Sequence, residues 1–225
     1  MIRAWVVRAL RGLDRRSGIF APHGSRAYAA VAPRVLRGFY RRVAADAAAF
    51  VDGRPGGERI VTVVDLGSGP GHLVRELGRR LPSARVVGVE PFEEMRGLAV
   101  ARGGTFLRGA AEAIPLEDRS VDLVVSTLSA HHWSDMPASF RELDRVLRPG
   151  GEAWIYDLRW AAYGPEDLAR IALAAELDPA RMTRTVTPGR LIRLFARIRL
   201  TARSAGRVNA SRVRLQRDGP EMPAR

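Results

Sequence analysis

The segment Val63-Val64-Asp65-Leu66-Gly67-Ser68-Gly69-Pro70-Gly71 constrains this chain more than any other. A short valine run reads as a buried strand, three alternating glycines demand a tight reversal, and Leu73, Leu77 and Leu81 then recur at helical spacing. Glycine permits positive φ and lets a ligand approach the main chain closely. A strand, a Gly-x-Gly-x-Gly turn and a helix open a βαβ unit whose helix N-terminus faces a ligand. The spacing alone is a weak signal, but its neighbours strengthen it. Glu90 ends the next valine-rich run, 19 positions after Gly71, where a carboxylate can accept both hydroxyls of a ribose.

From Ile60 onward, short apolar runs alternate with helical patterns, which predicts a doubly wound, Rossmann-like α/β fold with a mostly parallel sheet and helices on both faces. The pattern places strands near 60–66, 85–90, 105–107, 121–128 and 150–158. Helices are expected near 71–81 and, from Phe140, Leu143 and Leu147, near 136–147. Further strands fall near 182–187 and 194–201. The period-two run Ala196 to Leu200 suits a terminal edge strand, while Leu191 to Ile198 also fits a helix. Val35 to Phe50 reads as a helix ended by the turn-rich Asp52-Gly53-Arg54-Pro55-Gly56-Gly57. The organisation expected is an N-terminal helical cap over 1–59, one domain over 60–202 and a basic, disordered tail over 203–225.

With no cysteine, the chain has no disulfide framework, thiolate zinc site or catalytic thiol, and it suits a reducing cytoplasm. The net charge of +13 invites a nucleic-acid reading, but all 37 basic residues are arginine. Arginine codons are GC-rich and lysine codons AT-rich, so this composition points to a GC-rich bacterial genome and argues against nucleic acid as the partner. The excess is also confined to the flanks: residues 1–60 carry 12 Arg against 4 acids and 181–225 carry 12 against 2, whereas 61–180 carry 13 against 18. Ile2, Trp5, Val6, Ala9, Leu10 and Leu13 fall along one helical face with arginines largely elsewhere, which leaves peripheral contact with an anionic membrane open. No apolar stretch is long enough to span a bilayer, so the chain reads as soluble.

Charge selects the nucleoside ligand. The dinucleotide fingerprint would place a third glycine where His72 stands, and Asp65 precedes Gly67 by two residues, with no basic residue until Arg75. A pyrophosphate would be repelled there. S-adenosylmethionine carries a sulfonium and an ammonium and no phosphate, which suits a site bordered by Asp65 and Glu90.

Five segments in order complete the pattern: Val63 to Gly71, Val86-Val87-Gly88-Val89-Glu90-Pro91, Gly109-Ala110-Ala111-Glu112-Ala113-Ile114-Pro115-Leu116, Val121-Asp122-Leu123-Val124-Val125-Ser126, and Arg145-Val146-Leu147-Arg148-Pro149-Gly150-Gly151. Over roughly 60 to 158 the chain resembles the class I S-adenosylmethionine-dependent methyltransferases, especially the small-molecule branch that includes the quinone C-methyltransferases. The resemblance implies a seven-stranded sheet with an antiparallel last strand, S-adenosylmethionine as cofactor and S-adenosylhomocysteine as product. It implies that Asp65, Gly67, Gly69 and Gly71 surround the methionine portion, that Glu90 holds the ribose and that Pro91 or Phe92 faces the adenine. It further implies that Ser126 meets the methionine end and that Tyr28 closes the pocket. The family usually has an aspartate where this chain has Ala110, so at this position the chain departs from the pattern that implies an adenine contact. The backbone of Ala111 can serve the ring, and Glu112 either substitutes or faces solvent.

Ligands of open α/β sheets bind beyond the carboxyl ends of the strands, so Ser126 to Trp133 should border the methyl acceptor. His131 and His132 are candidate general bases, or they shape the following turn. Two adjacent histidines without a third ligand at readable spacing do not make a metal site. Tyr28, Phe39, Tyr40, Trp133, Trp160 and Tyr163 are either core or acceptor wall. The expected activity is methyl transfer to an oxygen or carbon of a small phenolic, quinone or secondary-metabolite acceptor. Alternatives are an RNA methyltransferase using the arginine-rich flanks and a non-catalytic module that binds the cofactor. Thr127-Leu128-Ser129-Ala130 stands where base-nitrogen methyltransferases carry an Asn-Pro-Pro-Tyr type motif, and Asp65 disfavours a nicotinamide-dependent oxidoreductase. The sequence fixes no oligomeric state.

Overall fold

The computed structural model describes residues 22–54, 59–159, 163–186 and 195–203. The basic amphipathic segment at the N-terminus, Trp160 and the tail from 204 onward lie outside them. Helix α1 spans Pro22–Asp52. It is followed by β1 (Thr62–Leu66), α2 (His72–Arg80), β2 (Arg85–Glu90), α3 (Glu93–Val100), β3 (Thr105–Arg108) and β4 (Val121–Thr127). A 3-10 turn over Ala130–His132 leads to α4 (Met136–Val146), β5 (Leu147–Leu158), α5 (Pro165–Ala174), β6 (Met182–Val186) and β7 (Phe195–Thr201).

The seven strands form one sheet in the order β3-β2-β1-β4-β5-β7-β6. β1 to β5 pair in parallel, and β7 runs antiparallel between β5 and β6. This is the doubly wound, Rossmann-like arrangement expected from the alternating pattern. One placement differs: the strand near 194–201 is not at the edge, which β6 forms instead. Its alternation was legible because Ala196, Ile198 and Leu200 are buried while Arg199 is exposed. Alternation reports which faces of a strand are covered and carries no information about how many neighbours it has.

Two boundaries also move. The fourth helix stops at Val146, and Leu147 already pairs with Val121, so β5 starts earlier than 150. The ladder then skips to Leu123↔Glu152, leaving Arg148-Pro149-Gly150 as a bulge. The first helix begins at Pro22, well before Val35.

Because β1 and β4 are buried on both faces, their residues divide between two cores. Val63, Leu123, Val125 and Tyr156 pack with Leu73 and Leu77 of α2 and with Phe39, Val43 and Ala47 of α1. Val64, Leu66, Val124 and Ile155 pack with Phe140 and Leu143 of α4 and with Leu168 and Ile171 of α5. Asp135 caps α4 by accepting from the Ala138 N–H at 2.9 Å, which contributes about 1 kcal/mol. Among the described residues, no helix is long and apolar enough to cross a membrane.

At the opposite end of the sheet from the carboxyl ends of β1 and β4, the fully buried Asp122 ties four segments together. It accepts from the Thr62 N–H at 2.9 Å, from Arg59 at 2.6 and 2.8 Å and from Arg148 at 2.9 Å, with Arg54 at 3.5 Å. Burial alone would raise its pKa, but the Arg59 and Thr62 hydrogen bonds and the arginine charges hold it below the usual carboxylate range. A depressed folded value means that the stabilisation is fully present above the unfolded value of about 3.9 and drains away as pH falls through the folded one. Asp122→Asn should therefore lower stability by about 2 kcal/mol at neutral pH, discounted because the arginines are partly exposed. In urea titrations, the gap from wild type should close below about pH 4.

Candidate active site

Beyond the carboxyl ends of β1, β2 and β4 lies a cavity of about 810 Å³, lined by Asp65 to Pro70, Glu90 to Phe92, Gly109 to Glu112, Thr127 to Ser129 and His131 to Ser134, among others. Its floor is the turn read first in the sequence. Gly67, Gly69 and Gly71 have φ of 73°, 52° and 79°, which only glycine adopts without strain. A side chain at Gly67 would collide with Ser129, whereas a Cβ at Gly69 would meet nothing within 4 Å. The first glycine is thus required by the protein's own packing, and the second leaves room against the cavity.

The turn hangs from the end of β2. The N–H groups of Gly67 and Ser68 donate to the Val89 carbonyl at 2.8 and 3.1 Å, and the Gly69 N–H donates to Glu90 Oε2 at 2.8 Å. Glu90 Oε1 accepts from the Phe92 N–H at 3.0 Å. Each carboxylate oxygen has a second lone pair to offer a ligand. Burial pushes the Glu90 carboxyl above its ordinary range, although those two N–H groups pull the other way.

Asp65 is buried beside it, and neither of its carboxylate oxygens has a hydrogen-bond partner. Burial, assisted by the charge of Glu90, pushes its pKa up to about 8. A buried acid with no donor on a cavity floor is a place for a ligand cation or N–H.

A third acid stands behind the histidines of the lining. The buried Asp157 on β5 accepts from the His131 N–H at 3.0 Å and has both oxygens 3.0 Å from His131 Nδ1. It also accepts from the Leu158 N–H at 2.8 Å. A carboxylate is an acceptor, so Nδ1 is the donor and Nε2 the nitrogen left to take a proton. The His132 ring lies 4.2 Å from that of His131, and both line the cavity.

Comparison with known proteins agrees with this geometry. The family described as "Methyltransferase domain" matches residues 64–155, from within β1 into β5. That segment of the chain is thus similar to methyltransferase domains. An uncharacterized methyltransferase of Mycobacterium sp. (strain JLS) is 36% identical over 153 residues, 64% of this chain and 58% of that protein. The demethylmenaquinone methyltransferase of Chlorobaculum tepidum is 35% identical over 105 residues, 45% of this chain and 42% of that protein. The chain thus spans about half the length of the curated relatives it matches. The fold is shared with a solved structure from Methanococcus maripaludis, assigned as an S-adenosyl-L-methionine-dependent methyltransferase, at a TM-score of 0.64 and 19% identity over 84% of this chain and 96% of that one.

Within the matched segment, the structure brings together Asp65, Gly67, Gly69, Glu90, Pro91, Ala111, His131 and His132 on one cavity. It does not bring Ser126 there. That side chain is buried 3.2 Å from Ser129 Oγ, and Thr127, Leu128 and Ser129 form the wall. The reason is a reversal at Leu128, whose φ is 55°; a non-glycine residue in that region marks strain held for a purpose. Gly71 sits one step back from the cavity as the N-cap of α2, packed against Phe106. Tyr28 falls on α1 with its side chain outside the described residues. Glu112, half-buried, lines the cavity. Its carboxylate accepts from the Ser134 N–H and Oγ–H and the Asp135 N–H at 2.6, 2.8 and 3.1 Å, stapling the loop before α4. Burial opposes its ionisation, but these bonds hold its pKa below the ordinary range. Tyr40 and Trp133 line the cavity, while Phe39 stacks on Phe195 in the core at 4.4 Å. The residue that sequence reading missed is Asp157, which lies 26 positions from His131 and has no local signal.

A carboxyl raised to about 8 is mostly protonated at pH 7. Bringing a cation against it should restore the anion and release nearly one proton. Calorimetry of S-adenosylhomocysteine binding in buffers of different ionisation enthalpy should register that release, and Asp65→Asn should abolish it while weakening affinity at least tenfold. The raised value also means that the ligand-free protein loses stability as pH climbs from about 4 towards 8, a slope that Asp65→Asn should flatten.

Proposed function

We propose that this chain transfers the methyl group of S-adenosylmethionine to an oxygen or carbon of a small, weakly acidic acceptor such as a phenol or a quinol. The observation that carries the cofactor assignment is the partnerless buried carboxylate of Asp65 on the floor of the cavity. Its natural complement is the α-ammonium of the methionine portion, with the glycine turn along the chain of that ligand. Glu90 accepts the ribose hydroxyls through its remaining lone pairs. Pro91, Phe92 and the backbone of Ala111 border the adenine. When bound, S-adenosylmethionine supplies an electrophilic methyl on a sulfonium and leaves as S-adenosylhomocysteine.

The protein's remaining task is alignment and proton removal. His131 Nε2 takes the proton of the acceptor hydroxyl as the oxygen, or the ring carbon conjugated to it, becomes the nucleophile. Asp157 holds the imidazole in the required tautomer and stabilises the imidazolium that forms. His132 lies against the His131 ring and borders the acceptor. The partial similarity to a demethylmenaquinone methyltransferase supports a quinol-like acceptor. No arginine is among the described residues that line the cavity, so its mouth offers no counter-charge to a phosphate backbone and the RNA reading is disfavoured.

An assay of S-adenosylhomocysteine release across phenols, quinols, amines and RNA tests this proposal. Turnover on RNA alone, or none on any hydroxyl-bearing acceptor, would refute the small-molecule reading. Glu90→Ala should raise the dissociation constant for S-adenosylmethionine at least tenfold. His131→Ala and Asp157→Asn should each lower kcat by about 10²-fold, with little change in cofactor affinity. A pH–rate profile for Asp157→Asn that matches wild type would remove the histidine from proton transfer.

A further inference from the structure

A second cavity, of about 570 Å³, lies between α1 and the β5–β7–β6 end of the sheet and shares no lining residue with the first. Tyr156, Arg197 and Thr185 occupy one rung of the sheet, since Tyr156 pairs with Arg197 across β5 and β7, and Arg197 pairs with Thr185 across β7 and β6. All three line the cavity. Tyr156 is only 1% exposed, and its hydroxyl, beside the Arg197 guanidinium, has no acceptor for its own proton; Arg197 Nε is likewise buried without an acceptor. The Arg197 guanidinium lies over the Trp154 ring at 5.3 Å and, among the described residues, makes no salt bridge, although its charge acts on Glu152, the carboxylate paired with its neighbour Arg199. Burial keeps the Tyr156 phenol above its ordinary pKa, so it stays a donor at neutral pH. Two buried donors therefore converge on one cavity and lack an acceptor there, an arrangement that folded proteins avoid unless something else supplies it.

The rest of the lining says what that acceptor is. Phe39, Phe50 and Trp154 give flat apolar walls, with Phe50 set edge-on to Trp154 at 5.4 Å. Arg42 and Asp46 enter from α1 as an ion pair at 3.4 Å. With Arg42 and Arg197 against Asp46, the formal charge of the lining is +1, which one negative charge neutralises, and the flat apolar walls favour an organic anion over an inorganic one. We infer that this cavity binds a small monocarboxylate with a flat apolar body, the carboxylate accepting from the Tyr156 hydroxyl and the Arg197 guanidinium. The site faces α1, while Asp157, the next residue of β5, faces the opposite side of the sheet and holds His131. The bound acid is thus separate from the methyl acceptor, and the inference does not rest on the proposed activity.

The test is calorimetric titration of the full chain with 2-naphthoate, its neutral amide 2-naphthamide, and inorganic phosphate. Naphthoate is expected to bind with 1:1 stoichiometry, and the amide and phosphate at least tenfold more weakly. Tyr156→Phe and Arg197→Met should each weaken naphthoate at least tenfold while leaving S-adenosylhomocysteine affinity unchanged; the tyrosine change removes one oxygen and keeps the packing. Equal binding of the acid and the amide would overturn the inference. So would naphthoate affinity that is unaltered in both variants, tighter binding of phosphate, or no binding of naphthoate by the wild type.

Discussion

The structure depends on three main-chain hydrogen bonds that hang the first turn from the second strand. The N–H groups of Gly67 and Ser68 share the Val89 carbonyl, and that of Gly69 reaches the Glu90 carboxylate. Because these donors point at β2, the turn must pass through positive φ at each glycine, and α2 must start with its N-terminus at the cavity. The same bonds place Asp65 and Glu90, at the ends of adjacent parallel strands, on one floor where burial and the charge of Glu90 raise the cost of charging Asp65. Protonation of Asp65 avoids that cost in the ligand-free protein, and the proposed ligand cation would restore the anion, so the turn's geometry and the ligand's charge are aspects of one constraint.

Strand β5 distributes function between the two faces of the sheet. Its period of two sends Asp157 towards His131 and Tyr156 towards α1. The antiparallel β7 beside it places Arg197 next to Tyr156 rather than leaving it at a solvated edge. Adjacent residues of one strand thus serve two separate cavities without competing for the same space. At the other end of the sheet, Asp122 joins the segment after α1, the start of β1 and the β5 bulge, which fixes the strands whose far ends carry the site.

The fold and half of the site were legible because their signals are local. Alternating valine runs and leucines at helical spacing give buried strands and helices, and three glycines beside an acid give a turn with a charge preference, all within a few residues of one another. Glu90 was readable too, since the length of a βαβ unit brings the end of the next strand beside the turn. Thus the sequence by itself determined the doubly wound architecture, the turn, and the acids that disfavour a phosphate-bearing ligand. Only the tertiary structure decided that Asp65 has no partner, that Ser126 retreats behind Ser129 through the reversal at Leu128, that Glu112 staples a loop and that Asp157 orients His131. It also decided that β7 lies inside the sheet. The physical reason is the same in each case: these properties depend on which distant groups come within hydrogen-bonding distance. Strand order and side-chain reach set that, and a pattern read along one segment contains neither.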